Sequence, residues 1–395
     1  MSNLPCERLD HIVGLLHDGQ TSLMNCCLVS KSWVPRIRRH LFADIHLLSG
    51  KSQRLWKKTF RDPSTSPACY TKTLLVGSSK TLTDADAEGN GWIGDFSRVV
   101  HFTTVGPDAV SFKKGTVLFP FHGFSPFLKS LRVHRATFSS SQLFDPILSF
   151  PLLEDLSITD CYCDVGDSGD SDEVSTTIQP SSSPVFTGSL ELSLRGATRA
   201  VHWLLSLPGG IHFRKLTLRW SCEEDISLGA ALVEKCSHIL ESLDIACNST
   251  CGTSIKHLCP RGRGLPLFAV DLMSVPFDLS QATKLEYVGF RPVSLRIGWI
   301  TRALRAITDE HQALRRILVV LDVPIFWNSP HIRKTEGLFE QWLDLDRILV
   351  HLLDSFSIRA NVRWVVGKSI GIVADSVEDF LPEMTRRGMV TLDQV

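Results

Sequence analysis

Three short strings in this sequence carry residue types that chemistry uses. "GDSG" at 166–169 offers a serine between an acid and a glycine. A nucleophilic serine needs a His base, a buried Asp and an oxyanion hole, all rigidly held. Here the flanks are "DV" and "DSDE", within a polar run that is acidic and then Ser/Thr-rich across 163–184, so a disordered acidic loop is expected. Ser171, followed by Asp172 and Glu173, is at most an acceptor for phosphate. "GNGWIG" at 89–94 has the spacing of a dinucleotide fingerprint, which needs a strand before it and a helix after it. A polar run, "TLTDADAE", precedes it and "DFSRVVHF" follows, which reads as a strand, so a turn is expected. Cys247, Cys251, His257 and Cys259 have ligand chemistry but crowd one stretch, whereas structural zinc sites set two short pairs well apart. No paired-carboxylate, Cys/His or metal-ligand constellation stands out. The expectation is a protein without catalytic residues, metal or cofactor.

Two basic clusters, "RIRRH" at 36–40 and "PRGRG" at 260–264, read as solvated surface. Nucleic-acid binding would want a continuous basic stripe, often beside aromatic platforms. Lys plus Arg and Asp plus Glu both number 42 in the 395 residues, so no bulk field draws in a polyanion. Neither a nucleic-acid nor a membrane partner is expected; such binding would need a local patch. The longest apolar candidate, "ILVVLDVPIFW", is broken by Asp322 and Pro324, short of the ~18 residues of a membrane span. The opening residues do not read as a secretory signal, so a cytoplasmic or nuclear location with reduced cysteines is expected.

The elements that would carry a site repeat along the chain. Leu128-x-x-Leu131-x-Val133 returns as Leu153-x-x-Leu156-x-Ile158, Phe213-x-x-Leu216-x-Leu218, Leu240-x-x-Leu243-x-Ile245, Leu285-x-x-Val288-x-Phe290 and Leu314-x-x-Ile317-x-Val319. "SLELSL" at 189–194 is a looser copy, and "YTKTLLVG" and "FSRVVHFTTV" are degenerate ones. Alternation of this kind is a strand with one buried face. Neighbouring copies mostly lie about 25–30 residues apart, near the period of leucine-rich repeats, with helical stretches between and an irregular spacing that argues against a tidy horseshoe. That rhythm predicts parallel pairing, each unit covering its neighbour. No Asn stands where each repeat turn usually closes.

Residues 4–47 are apolar beyond their size. Leu9, Ile12, Val13 and Leu16 share a helical face, Leu23, Cys26 and Cys27 a second, and Trp33, Ile37 and Leu41 a third. A trio this short cannot enclose its own apolar surface.

This segment resembles an F-box. The likeness rests on Leu4-Pro5-x-Glu7, Ile12, Leu15 and Leu16, Ser22-Leu23, "CxLVSKSW" from Cys26 to Trp33, and Leu41-Phe42. The later chain is similar in style to fungal F-box proteins with leucine-rich bodies. The resemblance implies an α/β fold class: a three-helix F-box at 1–48, a linker at 49–70, and an irregular leucine-rich-repeat-like α/β solenoid over 71–395. It implies a substrate-recognition adaptor of a cullin-RING ubiquitin ligase of the SCF type. Leu4, Pro5, Ile12, Leu16, Leu23, Leu28, Val29 and Trp33 would lie at or just beneath the contact with the Skp-family adaptor that joins it to the cullin core. An unknown target protein would lie on the concave strand face, which exposes Arg132, His134, Lys215, Arg219, Asp244, Tyr287 and Arg291. That face leans basic, favouring an acidic target. The alternatives are a ligase-independent interaction scaffold and an α/β enzyme.

Overall fold

A computed structural model of the chain describes residues 11, 15, 19–29, 31–77, 90–106, 124–138, 147–163, 186–193, 198–207, 209–220, 223–247, 277–292, 297–323, 337–356, 358–366 and 378–394. The fold is α/β, and the chain divides into two compact units, Met1–Val185 and Phe186–Val395.

The first unit opens with α1 (Gln20–Val29), a 3-10 turn at Lys31–Trp33 and α2 (Val34–Leu41). Then come β1 (Asp44–Leu47), α3 (Gly50–Thr59), β2 (Thr73–Gly77), β3 (His101–Val105), β4 (Ser130–His134), β5 (Thr137–Phe138), β6 (Asp155–Thr159) and β7 (Tyr162–Cys163). The sheet order is β1-β2-β3-β4-β6, every pair parallel, and β5 pairs β7 separately. Register aligns the buried positions: Leu74, Phe102, Leu131 and Leu156 form one row, and Val76, Thr104, Val133 and Ile158 the next. A slip of one residue would turn both rows outward, so the alternation fixes the pairing. Arg135 and Asp160 follow their strands at φ of 53°, the left-handed conformation that turns the chain sharply. Gly106 takes the matching place after β3, where a Cβ would strike the Arg135 carbonyl. The expected linker is structured in part: Ser49 and Ser52 form a capping box that starts α3, and buried Gln53 donates to the carbonyls of Leu47 and Gly77.

The second unit holds β8 (Ser189–Ser193), α4 (Thr198–Leu205), β9 (Lys215–Trp220), α5 (Glu223–Cys236), β10 (Ser242–Cys247), β11 (Tyr287–Arg291) and α6 (Gly298–Arg305). It ends with β12 (Arg316–Val323), α7 (Leu338–Ser355), β13 (Arg359–Val366), α8 (Pro382–Arg386) and β14 (Val390–Gln394). These strands pair in chain order, all parallel. Leu190, Leu216, Leu243, Val288, Ile317 and Ala360 make one buried row, and Leu192, Leu218, Ile245, Phe290, Val319 and Val362 the other. Side chains of α7 finish its neighbours. Gln341 Oε1 accepts from the N–H groups of Ile297 and Gly298 at the start of α6, each at 3.2 Å. Asp346, 4% exposed, accepts from Glu383 and Met384 at the start of α8, at 3.1 and 2.9 Å. Both satisfy N–H groups that a helix leaves unpaired at its first turn. His311 is fully buried; its Nδ1 accepts from the Thr308 N–H at 3.0 Å, which leaves Nε2 to donate to the Leu279 carbonyl at 2.9 Å.

Each strand expected from the repeated pattern is present. The structure adds β1, β5, β7, β13 and β14, the last of them after α8. "GNGWIG" lies largely in a 3-10 turn, Asn90–Asp95, that leads to β3. "GDSG", Ser171, Cys251, His257, Cys259 and "PRGRG" lie outside the described residues.

Candidate functional site

The polar face of the second unit is built by the same register as its core, from the residues between the buried ones. One row reads Ser189, Lys215, Ser242, Tyr287, Arg316 and Arg359. The next reads Glu191, Thr217, Asp244, Gly289, Leu318 and Asn361. A third holds Ser193, Arg219, Ala246 and Arg291. Five of the expected target-face residues, Lys215, Arg219, Asp244, Tyr287 and Arg291, therefore share one sheet face.

Its electrostatics are partly closed within the chain. Arg219 Nη2 lies 2.9 Å from Glu191 Oε1, and Arg291 Nη2 lies 3.2 Å from Asp244 Oδ2. The other Asp244 oxygen, Oδ1, is buried and has no hydrogen-bond partner among the described residues. Tyr287 folds back across the strand: a Cβ on Gly289 would come within 2.5 Å of its hydroxyl and 2.9 Å of Asp244 Oδ1. That notch exists because position 289 has no side chain. Burial raises the Tyr287 phenol above its ordinary range; the Asp244 charge adds to this, and Arg291 and Arg316 oppose it. Arg316 sits over the Tyr287 ring at 5.9 Å, within cation–π reach. Lys215, Arg316 and Arg359 are exposed and have no acidic partner among the described residues.

Arg132 and His134 lie in the first unit, on β4. Arg132 is exposed, and His134 Nδ1 lies 2.9 Å from Thr159 Oγ1 and 3.8 Å from Asp160. Sequence reasoning missed Glu191, Arg316 and Arg359. The signal was present, because Arg316 precedes Ile317 just as Lys215 precedes Leu216 in the repeated pattern.

In the N-terminal helices, Leu23 and Ile37 are the buried pair, at 1% and 0% exposure. Cys26, Cys27, Trp33 and Leu41 pack against them half-covered. Leu15 and Met24 stand 70% and 57% exposed. Of the residues expected at or just beneath the adaptor contact, Leu23 lies in this buried pair and Trp33 packs against it. Leu28 and Val29 belong to α1, with side chains outside the described set, and Leu4, Pro5, Ile12 and Leu16 lie outside the described residues altogether.

Burial pushes the thiols of Cys161 and Cys236 up to about 12 and about 11, so neither is a nucleophile near neutral pH. Among the described residues no group of three His, Cys, Asp or Glu could hold a metal, and no helix is long and apolar enough to cross a membrane. No protein-family model matches the chain, and no curated protein is similar to it at a significant level.

Proposed function

We propose that this chain is a substrate-recognition adaptor of an SCF-type ubiquitin ligase, an F-box followed by a leucine-rich-repeat-like body. The N-terminal helices would dock a Skp-family adaptor, and the polar strand face would hold a target protein. The observation that carries this is the apolar surplus of the helices: a buried core of two side chains, Leu23 and Ile37, beside an exposed Leu15 and Met24. Adding a partner over these residues would bury what the chain leaves in water. The strand body supports the repeat reading, since its parallel pairs repeat the same buried rows. Cys161 supports it too. It occupies the closing position of the L-x-x-L-x-L-x-x-N/C-x-L pattern, counted from Leu153, and its thiol donates to the Val133 carbonyl of the preceding strand at 3.4 Å.

The test is co-expression of the full chain with a Skp-family adaptor, followed by size-exclusion chromatography. Wild type is expected to co-elute with the adaptor. Leu15→Asp with Met24→Asp is expected to weaken binding at least tenfold, since each buried side chain contributes about 1.5–3 kcal/mol. Both positions are exposed, so circular dichroism of the variant should match wild type. A wild-type chain that elutes alone removes the adaptor role and leaves an interaction scaffold.

A further inference from the structure

The balanced composition hides one uneven segment. Between Lys31 and Arg61 stand nine Lys and Arg residues and one acid, Asp44. Seven of them stand on two helices, α2 and α3. In α3, Lys51, Arg54 and Lys58 follow one another at spacings of three and four, and all are exposed. They run about 10 Å along the helix at ~1.5 Å per residue. The opposite side of α3 is fixed inward by Gln53 and Trp56, at 3% and 8% exposure. In α2, Arg38 and Arg39 are exposed in the last turn. The two helix ends are tied together, because Phe42 packs edge-on against Trp56 and Phe60, each at 6.3 Å. Arg61 follows Phe60 and is also exposed.

Among the described residues, Arg38, Arg39, Lys51, Arg54, Lys58 and Arg61 make no ion pair. In the second unit, by comparison, Arg219, Arg291, Arg305, Arg363, Arg386 and Arg387 each sit against a carboxylate, while Lys215, Arg316 and Arg359 do not among the described residues. An unneutralised stripe that repels itself is stabilised when a regular polyanion lies along it and releases its counterions. Within the stripe, Trp33, Phe42, Trp56 and Phe60 are buried or half-buried, so no exposed ring offers a platform on which a single strand would stack.

We propose that the α2–α3 basic stripe binds the phosphate backbone of double-helical nucleic acid without reading its bases. This does not rest on the adaptor role. It supplies the local patch that a net charge of zero left out of view.

The test is fluorescence anisotropy of a labelled 20-base-pair DNA duplex of arbitrary sequence with the full chain. Binding at 50 mM salt should weaken about a thousandfold by 200 mM if the six bare cations engage phosphates. The variant Lys51→Gln, Arg54→Gln, Lys58→Gln should lower the log–log salt slope by about three. The matched variant Lys215→Gln, Arg316→Gln, Arg359→Gln should bind as wild type does. The proposal is overturned by no binding at 50 mM salt, by an unchanged slope in the α3 variant, or by an equal loss in the β9–β13 variant. It is also overturned if labelled poly-glutamate or a single-stranded 20-mer binds more tightly than the duplex, since the site would then suit an acidic polypeptide or unpaired bases.

Discussion

The two units cover the same kind of parallel sheet with different material. In the first, aromatic side chains fill the layer behind the strands. Trp56 stacks on Phe96 at 5.5 Å, Phe102 meets Phe124 at 5.0 Å, and Phe124 meets Phe150 edge-on at 6.3 Å. Among the described residues, the connecting elements there are the helix α3 and 3-10 turns such as Asn90–Asp95. In the second, helices do the covering, and polar side chains hold them in place. Gln341 and Asp346 complete the first turns of α6 and α8, Asp344 meets Arg305 at 2.6 Å, and Asp354 meets Arg387 at 2.7 Å. The comparison teaches what the repeated pattern constrains. It fixes the two buried positions of each strand and their register, and it leaves the covering layer free to be aromatic or helical.

Two substitutions set these layers against each other. The larger effect is expected at Phe102, which is 1% exposed and belongs to both the buried strand row and the aromatic layer. Phe102→Ala should cost about 3–5 kcal/mol through lost burial and the cavity left behind. Hydrogen exchange should show it as lost protection in β2, β3 and β4. If protection there is unchanged, the aromatic layer is not what secures these strands. The next effect is at Asp346. Asp346→Ala leaves the N–H groups of Glu383 and Met384 without their acceptors beneath a buried surface, at a cost of about 3 kcal/mol in urea unfolding. Asp346→Asn keeps one carbonyl acceptor and should lose about half as much. Equal losses in the two variants would mean that packing, rather than the helix-end bonds, holds α8 against α7.

The strand rows were legible because burial on one face imposes an alternation that no other element shares. The helices α4, α5, α6 and α7 fall in the helical stretches that the repeated pattern leaves beside its strands. β1 was hidden because "DIHL" sits inside a segment that reads as helical, and its partner, β2, is nearly thirty residues on. β13, "RANVRWVV", carries Ala360 where its neighbours carry Leu or Ile, which weakens the pattern at the first buried position. The helix-end caps were not legible at all. Gln341 and Asp346 bond to backbone 43 or 44 and 37 or 38 residues away, and no local rule marks a polar residue on a helix as another helix's cap. The polar face of the second unit was legible in part, at Lys215, Arg219, Asp244, Tyr287 and Arg291, but its pairing was not, since Arg219 meets Glu191 and Arg291 meets Asp244 only through strand register. For the same reason the bare cations of α2 and α3 looked like the neutralised ones of β9 and β11.

The smallest effect concerns the charged end of the second unit, and it shows by pH whether its ion pairs matter. Hydrogen bonds from Arg386, then from Arg387, lower the Glu383 carboxyl to about 2, against 4.5 for an unperturbed glutamate. Arg386 Nε donates to it at 2.8 Å and Arg387 Nε at 3.1 Å, while Arg387 also reaches Asp354, whose carboxyl is held below its usual range by that bond. A depressed carboxyl binds protons more weakly folded than unfolded. Its contribution to stability is therefore complete above about pH 4.5 and drains away as pH falls towards about 2. The groups are solvent-exposed, so the effect on overall stability should be slight in high salt and clearest at low ionic strength. Urea unfolding of wild type and Glu383→Gln at low ionic strength should differ at pH 6 and converge by about pH 2, with the variant showing the flatter profile between. Parallel profiles would mean that Arg386 and Arg387 rest against Glu383 without stabilising the fold, and that this end of the chain is held by packing alone.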